Sequence, residues 1–132
     1  MTITRYPSGS SGIQPTIPVA DNYVNASSVA STWYTLTNVT NGKGILSRIS
    51  AFSTATSNLS LQITITVDGT AYTITQSEAN NARGFVHGAS TNDSSKNIDF
   101  WCNVYFSTSL KIEVRQTEGT KILHASSDYS LS

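Results

Sequence analysis

The clearest order in the chain is a period of two. From Leu59 to Val67 the residues Leu59, Leu61, Ile63, Ile65 and Val67 alternate with Ser60, Gln62, Thr64 and Thr66, the pattern of a strand with one face in a core and the other in water. The run ends at Asp68-Gly69, which tolerates positive φ and favours a tight hairpin turn, so Ala71 to Thr75 is expected to return beside it. The same alternation predicts strands over Thr32–Val39, Ile45–Phe52, Ile98–Phe106, Leu110–Gln116 and Thr120–Ser126, with Asn41-Gly42-Lys43-Gly44 between the first two. One short helix fits, over Gln76–Ala82, with Ser77 as N-cap and Gly84 near its stop. Residues 86–97, which include His87, Gly88 and a polar run from Ser90, read as a long surface loop. Short strands separated by turn signals predict an all-β fold, an antiparallel β-sandwich of jelly-roll-like form.

Residues 1–28 read differently. They hold all three prolines (Pro7, Pro15, Pro18) and the Ser8-Gly9-Ser10-Ser11-Gly12 stretch, and proline neither donates to a sheet ladder nor leaves its predecessor free. The segment is expected to be an extended N-terminal arm ahead of a sandwich domain over 29–132. Ile3, Tyr6, Ile13, Ile17, Val19 and Tyr23 supply this arm with apolar side chains for docking on a neighbour; the alternative is a solvated tail.

Composition narrows the function classes. The chain has 132 residues, one domain's worth. Eight basic and eight acidic residues cancel and are scattered, so the basic stripe of a nucleic-acid binder is missing. Charged residues are only 12% of the chain, whereas Ser and Thr together number 39, which makes a hydroxyl-rich surface with little self-repulsion, suited to packing beside identical copies. No apolar run reaches membrane-span length, and Met1 to Gly12 lacks the basic-then-apolar layout of a secretory signal. The protein is expected to stay in the cytoplasm in which it is made. The Asn-x-Ser/Thr triplets at Asn25, Asn38, Asn58 and Asn92 are then products of composition.

Catalytic chemistry finds little footing. A nucleophilic triad needs a histidine; only His87 and His124 are present, and neither lies near a Gly-x-Ser-x-Gly elbow. Of the carboxylates, Asp68 belongs to a turn, Glu78 to the first turn of the short helix, and Glu113 shares the exposed side of a strand with Lys111 and Arg115. No pair is set apart for glycoside cleavage. Asn92-Asp93 lacks the rest of a calcium loop, and Gly42-Lys43-Gly44 is too short for a nucleotide fingerprint. Cys102 is the sole cysteine, so neither a disulfide nor a zinc site is expected. No catalytic residue, metal or cofactor is assigned.

The aromatic residues carry more information. If Phe100, Cys102, Val104 and Phe106 face the core, Trp101 and Tyr105 face away; Trp33 and Tyr34 are adjacent, so they too point in opposite directions. Three arrangements satisfy this: cover by a loop or the arm, burial between subunits, or display as a platform for stacking sugar rings.

The run Ser31-Thr32-Trp33-Tyr34-Thr35-Leu36-Thr37-Asn38-Val39-Thr40-Asn41-Gly42-Lys43-Gly44-Ile45-Leu46-Ser47-Arg48-Ile49, followed by Leu61-Gln62-Ile63-Thr64-Ile65-Thr66-Val67-Asp68-Gly69, resembles small virion proteins of tailed bacteriophages over residues 29–75. The resemblance implies a jelly-roll or sandwich module, usually a homotrimer, mounted on a capsid, collar, tail or fibre. Expected partners are further copies of itself and virion proteins such as the major capsid protein, with a host surface glycan as the partner of a receptor-binding variant. It carries no catalytic residues across. A decoration or head-fibre protein in the virion, held by its N-terminal arm, fits the short chain; a receptor- or carbohydrate-binding module is the other reading.

Overall fold

Strands with one apolar face require a second layer to bury it against, and the computed structural model supplies one. It describes residues 17–56, 60–75, 86–90 and 96–132. Among these, nine strands are present: β1 (Ile17–Val29), β2 (Tyr34–Val39), β3 (Gly44–Ser53), β4 (Leu61–Val67), β5 (Thr70–Thr75), β6 (Val86–Ser90), β7 (Lys96–Phe106), β8 (Leu110–Gln116) and β9 (Thr120–Leu131). They form an antiparallel sandwich, a five-stranded sheet A in the order β1-β9-β3-β7-β6 against a four-stranded sheet B in the order β2-β8-β4-β5.

The connectivity is that of one long hairpin rolled up. Ile17 faces Leu131, Tyr34 faces Val114 and Gly44 faces Phe106, each pair nested inside the last, and β4–β5 forms the tip. Rolling adds the lateral pairs β3–β9 and β4–β8. This is a jelly roll with β6 added at the margin of sheet A. Between the sheets lie Leu46, Ile49, Ile63, Ile98, Phe106, Ile112, Val114 and Leu123, all essentially without solvent exposure; each such side chain contributes about 1.5–3 kcal/mol of transfer free energy.

Polar hubs fasten both ends. At the tip, Asp68 (φ 50) and Gly69 (φ 88) make the positive-φ turn that the dipeptide predicts. The Asp68 carboxylate accepts hydrogen bonds from the backbone N–H groups of Ser107, Thr108 and Ser109 and from the hydroxyls of Ser107 and Thr108, at 2.8–3.1 Å. Thr108 O in turn accepts from Gly42 N at 3.0 Å, so the β4–β5 turn, the β7–β8 crossover and the β2–β3 crossover are one linked group. Gly44 lies at this end, where a Cβ would sit 1.8 Å from Ser130 O; only glycine lets β3 pass there. At the far end, buried Gln116 Nε2 donates to Ser28 O and Gly119 O, its Oε1 accepts from Glu118 N, and Ser31 N donates to Gln116 O.

Four inward groups on β1, β2 and β9 are polar and satisfy one another. Thr37 Oγ1 donates to Asp21 Oδ2 at 2.9 Å and lies 2.6 Å from Ser127 Oγ. With its proton committed to Asp21, Thr37 accepts from Ser127. Tyr129 also donates to Asp21 Oδ2, at 3.0 Å. Burial first, and then this bond and the nearby charge of Asp21, push the Tyr129 hydroxyl up to about 12.

Several sequence expectations are corrected by these contacts and by the strand pairings. Residues 17–28 are not an arm: they form β1, paired with β9, and Val19 and Tyr23 pack against the core. Pro18 is tolerated because β1 is an edge strand with one bonded side. Ile3, Tyr6 and Ile13 lie outside the described residues, as does the helix expected over 76–82. The loop expected over 86–97 contains β6 and the start of β7, and β9 continues past Ser126 to Leu131. β-Bulges also reset the alternation: Leu36 and Thr37 are both buried, and Leu46 and Ile49 both face inward although three residues apart, because the registers shift at Thr35/Thr37 and Leu46/Arg48.

Two pH dependences follow. The N–H groups around Asp68 hold its carboxyl well below the usual carboxylate range, so its stabilising effect is complete above about pH 4 and lost as pH falls further. Thermal melts of the full chain and Asp68→Asn between about pH 7 and pH 2 are expected to show the variant melting lower at neutral pH and the two converging in acid. For Tyr129 the sign reverses: a raised folded value gives stability that is complete below about pH 10 and lost as pH climbs towards 12. Tyr129→Phe is expected to cost about 1.5 kcal/mol at neutral pH and to flatten the alkaline fall in denaturant midpoint.

Candidate functional site

The inner faces are consumed by the core, so recognition falls to the outer faces and edges. On sheet A the strand registers align outward side chains in rows across β1, β9, β3 and β7. Nearest the Gln116 end the row is Val24, His124, Phe52, Asn97; then come Asn22, Ser126, Ser50, Asp99; then Ala20, Asp128, Arg48, Trp101; and nearest the Asp68 end Pro18, Ser130, Ile45, Tyr105. Small hydroxyl and amide side chains of the second row thus lie between two taller rows. The depression above β1, β9 and β3 has a volume of about 240 Å³ and is lined by Asn22, Val24, Ser50, Phe52, His124 and Ser126.

Each wall is fixed by its own contacts. On one side the Phe52 and His124 rings lie 6.2 Å apart, tilted by 50°. On the other, Arg48 is held between two acids, Nε at 3.3 Å from Asp99 Oδ1 and Nη1 at 3.5 Å from Asp128 Oδ2, and its guanidinium lies 5.6 Å from the centre of the Trp101 ring. Such a cation over an indole steadies the ring while leaving its other face open. One cation against two carboxylates leaves this cluster with a net charge of −1. Trp101 is 57% exposed and Tyr105 59%, so both members of the β7 pair stand in the open on this face.

Trp33 and Tyr34 separate as adjacent residues should. Tyr34 turns inward against Tyr23, ring centres 5.4 Å apart, and its hydroxyl accepts from Val29 N at 2.9 Å; β1 covers it within the same chain. Trp33 is half-buried on the outer side of sheet B, with the Arg115 guanidinium 4.5 Å from its ring centre and Arg115 Nε donating to Gln62 Oε1. Of the apolar residues expected to dock an arm, Ile17 is exposed at the start of β1, while Val19 and Tyr23 are already engaged.

A second open surface lies at the margin of sheet B. Tyr72 and Ile74 lie on the inward side of β5, opposite Ile65 and Ile63, yet β5 is an edge strand and Tyr72 is 59% exposed. Among the described residues, a cleft of about 550 Å³ opens there, lined by Ile65, Val67, Tyr72, Ile74 and Val104. The sequence marks Tyr72 as a strand residue but says nothing of which strand forms the margin.

His124 faces solvent beside Val24 and Phe52 and has no carboxylate among these row neighbours. Burial pushes the Cys102 thiol up, and its sulfur lies 3.5 Å from Leu46 O, which keeps it in the unreactive thiol form. Among the described residues no three His, Cys, Asp or Glu side chains gather as metal ligands. No protein-family model matches the chain, and no curated protein matches it.

The two tryptophans make this geometry measurable. Acrylamide is expected to quench Trp33→Phe, in which Trp101 alone emits, more steeply than Trp101→Phe, in which Trp33 alone emits. A quenching constant for Trp33→Phe as low as that of a fully buried indole would show that Trp101 is covered in solution.

Proposed function

We propose that the chain is a non-enzymatic structural protein of a bacteriophage virion, a homotrimeric decoration or head-fibre protein. The observation that carries this reading is the apolar cleft between β5 and β7: it extends a core surface to the margin of the sandwich, where a second copy can cover Tyr72 and Ile74. Edge strand β5 reads Thr-Ala-Tyr-Thr-Ile-Thr, without charge or proline, so it lacks the devices that keep sheet edges apart. The jelly-roll topology suits the virion resemblance of residues 29–75. The start of β1 and the end of β9 lie together at the Asp68 end, and that end is the side for attachment to a particle protein such as the major capsid protein. Repeated around a symmetric lattice, many weak contacts of this kind sum to firm attachment. The place of action is then the virion, after synthesis in the bacterial cytoplasm.

Light scattering on the full chain after size exclusion tests the assembly step. The expected mass is three times the 14.2 kDa of one chain, with Tyr72→Asp reduced to a monomer and Trp101→Ala still trimeric. A full chain that is monomeric at working concentrations overturns the reading.

A further inference from the structure

The depression on the outer face of sheet A has the chemistry of a carbohydrate site, and we propose that it binds a short, neutral oligosaccharide laid across β1, β9 and β3 and reaching towards Trp101 on β7. Its dimensions follow from strand geometry. Phe52 and Arg48, one on each wall, are four residues apart on β3, about 13 Å along the strand. Asn22 to Ser50 crosses two inter-strand steps, about 10 Å. The space is a shallow, open-topped trench, wide enough for a sugar ring and longer than one ring.

The lining is divided as sugars require. Pyranose rings present C–H faces that pack on aromatic rings and hydroxyls that exchange hydrogen bonds. Phe52 and His124 supply rings in the lining, and the exposed Trp101 ring stands on β7 beyond Ser50, two residues from Asp99, where a chain longer than one sugar reaches it. Ser50, Ser126 and Asn22 supply hydroxyl and amide groups on the floor, all able both to donate and to accept. Asp128, with a side chain 47% exposed beside Arg48, adds a carboxylate for paired hydroxyls.

Other ligand classes fit less well. The net charge of −1 on the Arg48 cluster disfavours phosphates, nucleic acids and acidic sugars. A peptide could pair only along the free edge of β1 and not on the face where the trench lies, because β9 and β3 are bonded on both sides. A lipid or apolar helix would desolvate Ser50, Ser126 and Asn22 without replacing their hydrogen bonds.

This inference is independent of the assembly reading: the trench lies over β1, β9 and β3, away from the β5–β7 cleft. A sugar-binding monomer, or a trimer that binds no sugar, separates the two.

The test is calorimetric titration of the full-length protein with maltohexaose, cellohexaose, chitohexaose and mannohexaose. Saturable binding of at least one is expected, weakened about tenfold in Trp101→Ala through the lost ring contact. Ser126→Trp, which fills the trench from an outward position, is expected to abolish it. Thermal melts of both variants establish that they fold. No saturable binding of any of the four sugars, or binding that either folded variant leaves at full strength, overturns the proposal.

Discussion

The carboxylate of Asp68 is the point on which the arrangement of the sheets turns. It belongs to the β4–β5 hairpin, and all five of its donors come from the Ser107–Ser109 crossover between β7 and β8. A hairpin turn needs only a pair of residues that accept positive φ; this one also neutralises the unpaired N–H groups of a neighbouring loop, which are costly to leave without partners. Through Thr108 the same loop holds Gly42. The end where the roll closes is therefore fixed by charge-assisted hydrogen bonds, and the apolar side chains between the sheets are left to fill a frame already set.

The inner layer is not uniform. Where β4 and β8 face β3 and β7 it is mostly apolar, aliphatic apart from Phe106, and where β1, β2 and β9 meet it holds the Asp21–Thr37–Ser127–Tyr129 network. A buried polar network is favourable only when every member is satisfied, and here each hydroxyl has a partner. That makes register on the β1 side specific: a shift of one residue in β1 would turn Asp21 outward and leave Tyr129 and Thr37 without an acceptor. The outer face can then carry exposed rings and hydroxyls without touching the elements that hold the fold.

What the sequence disclosed follows the same division. β4 and β8 were legible because aliphatic residues repeat at every second position along their inward sides, up to Gln116 at the end of β8, and the turn between β4 and β5 because Asp-Gly tolerates positive φ. β1 was hidden because its inward positions include Asp21, Asn25 and Ser28, which read as loop until Thr37, Tyr23 and Lys121 are seen as their partners. The second half of β9 was hidden likewise by Ser127. The outward direction of Trp101 and Tyr105 could be read from alternation, but the trench could not: it exists because register sets Asn22, Ser126 and Ser50 side by side from three separate strands. Nor does alternation reveal that Tyr34 meets Tyr23 within the chain, a contact between residues expected to belong to different units.

The nested pairing has a kinetic side. β4 and β5 can meet as soon as they are made, but β3 must wait for β7, β2 for β8, and β1, the first strand to emerge, for β9, the last. Closing such distant pairs is slow compared with forming local contacts. During synthesis the apolar inner face of β3 stays without its lateral partner β9 until the final dozen residues appear, the interval in which an open sheet margin is most prone to capture by another chain. Until then β1 waits without its partner, its inward row broken by Asp21, Asn25 and Ser28, which makes that row a poorer template for a stray apolar strand than an all-aliphatic one.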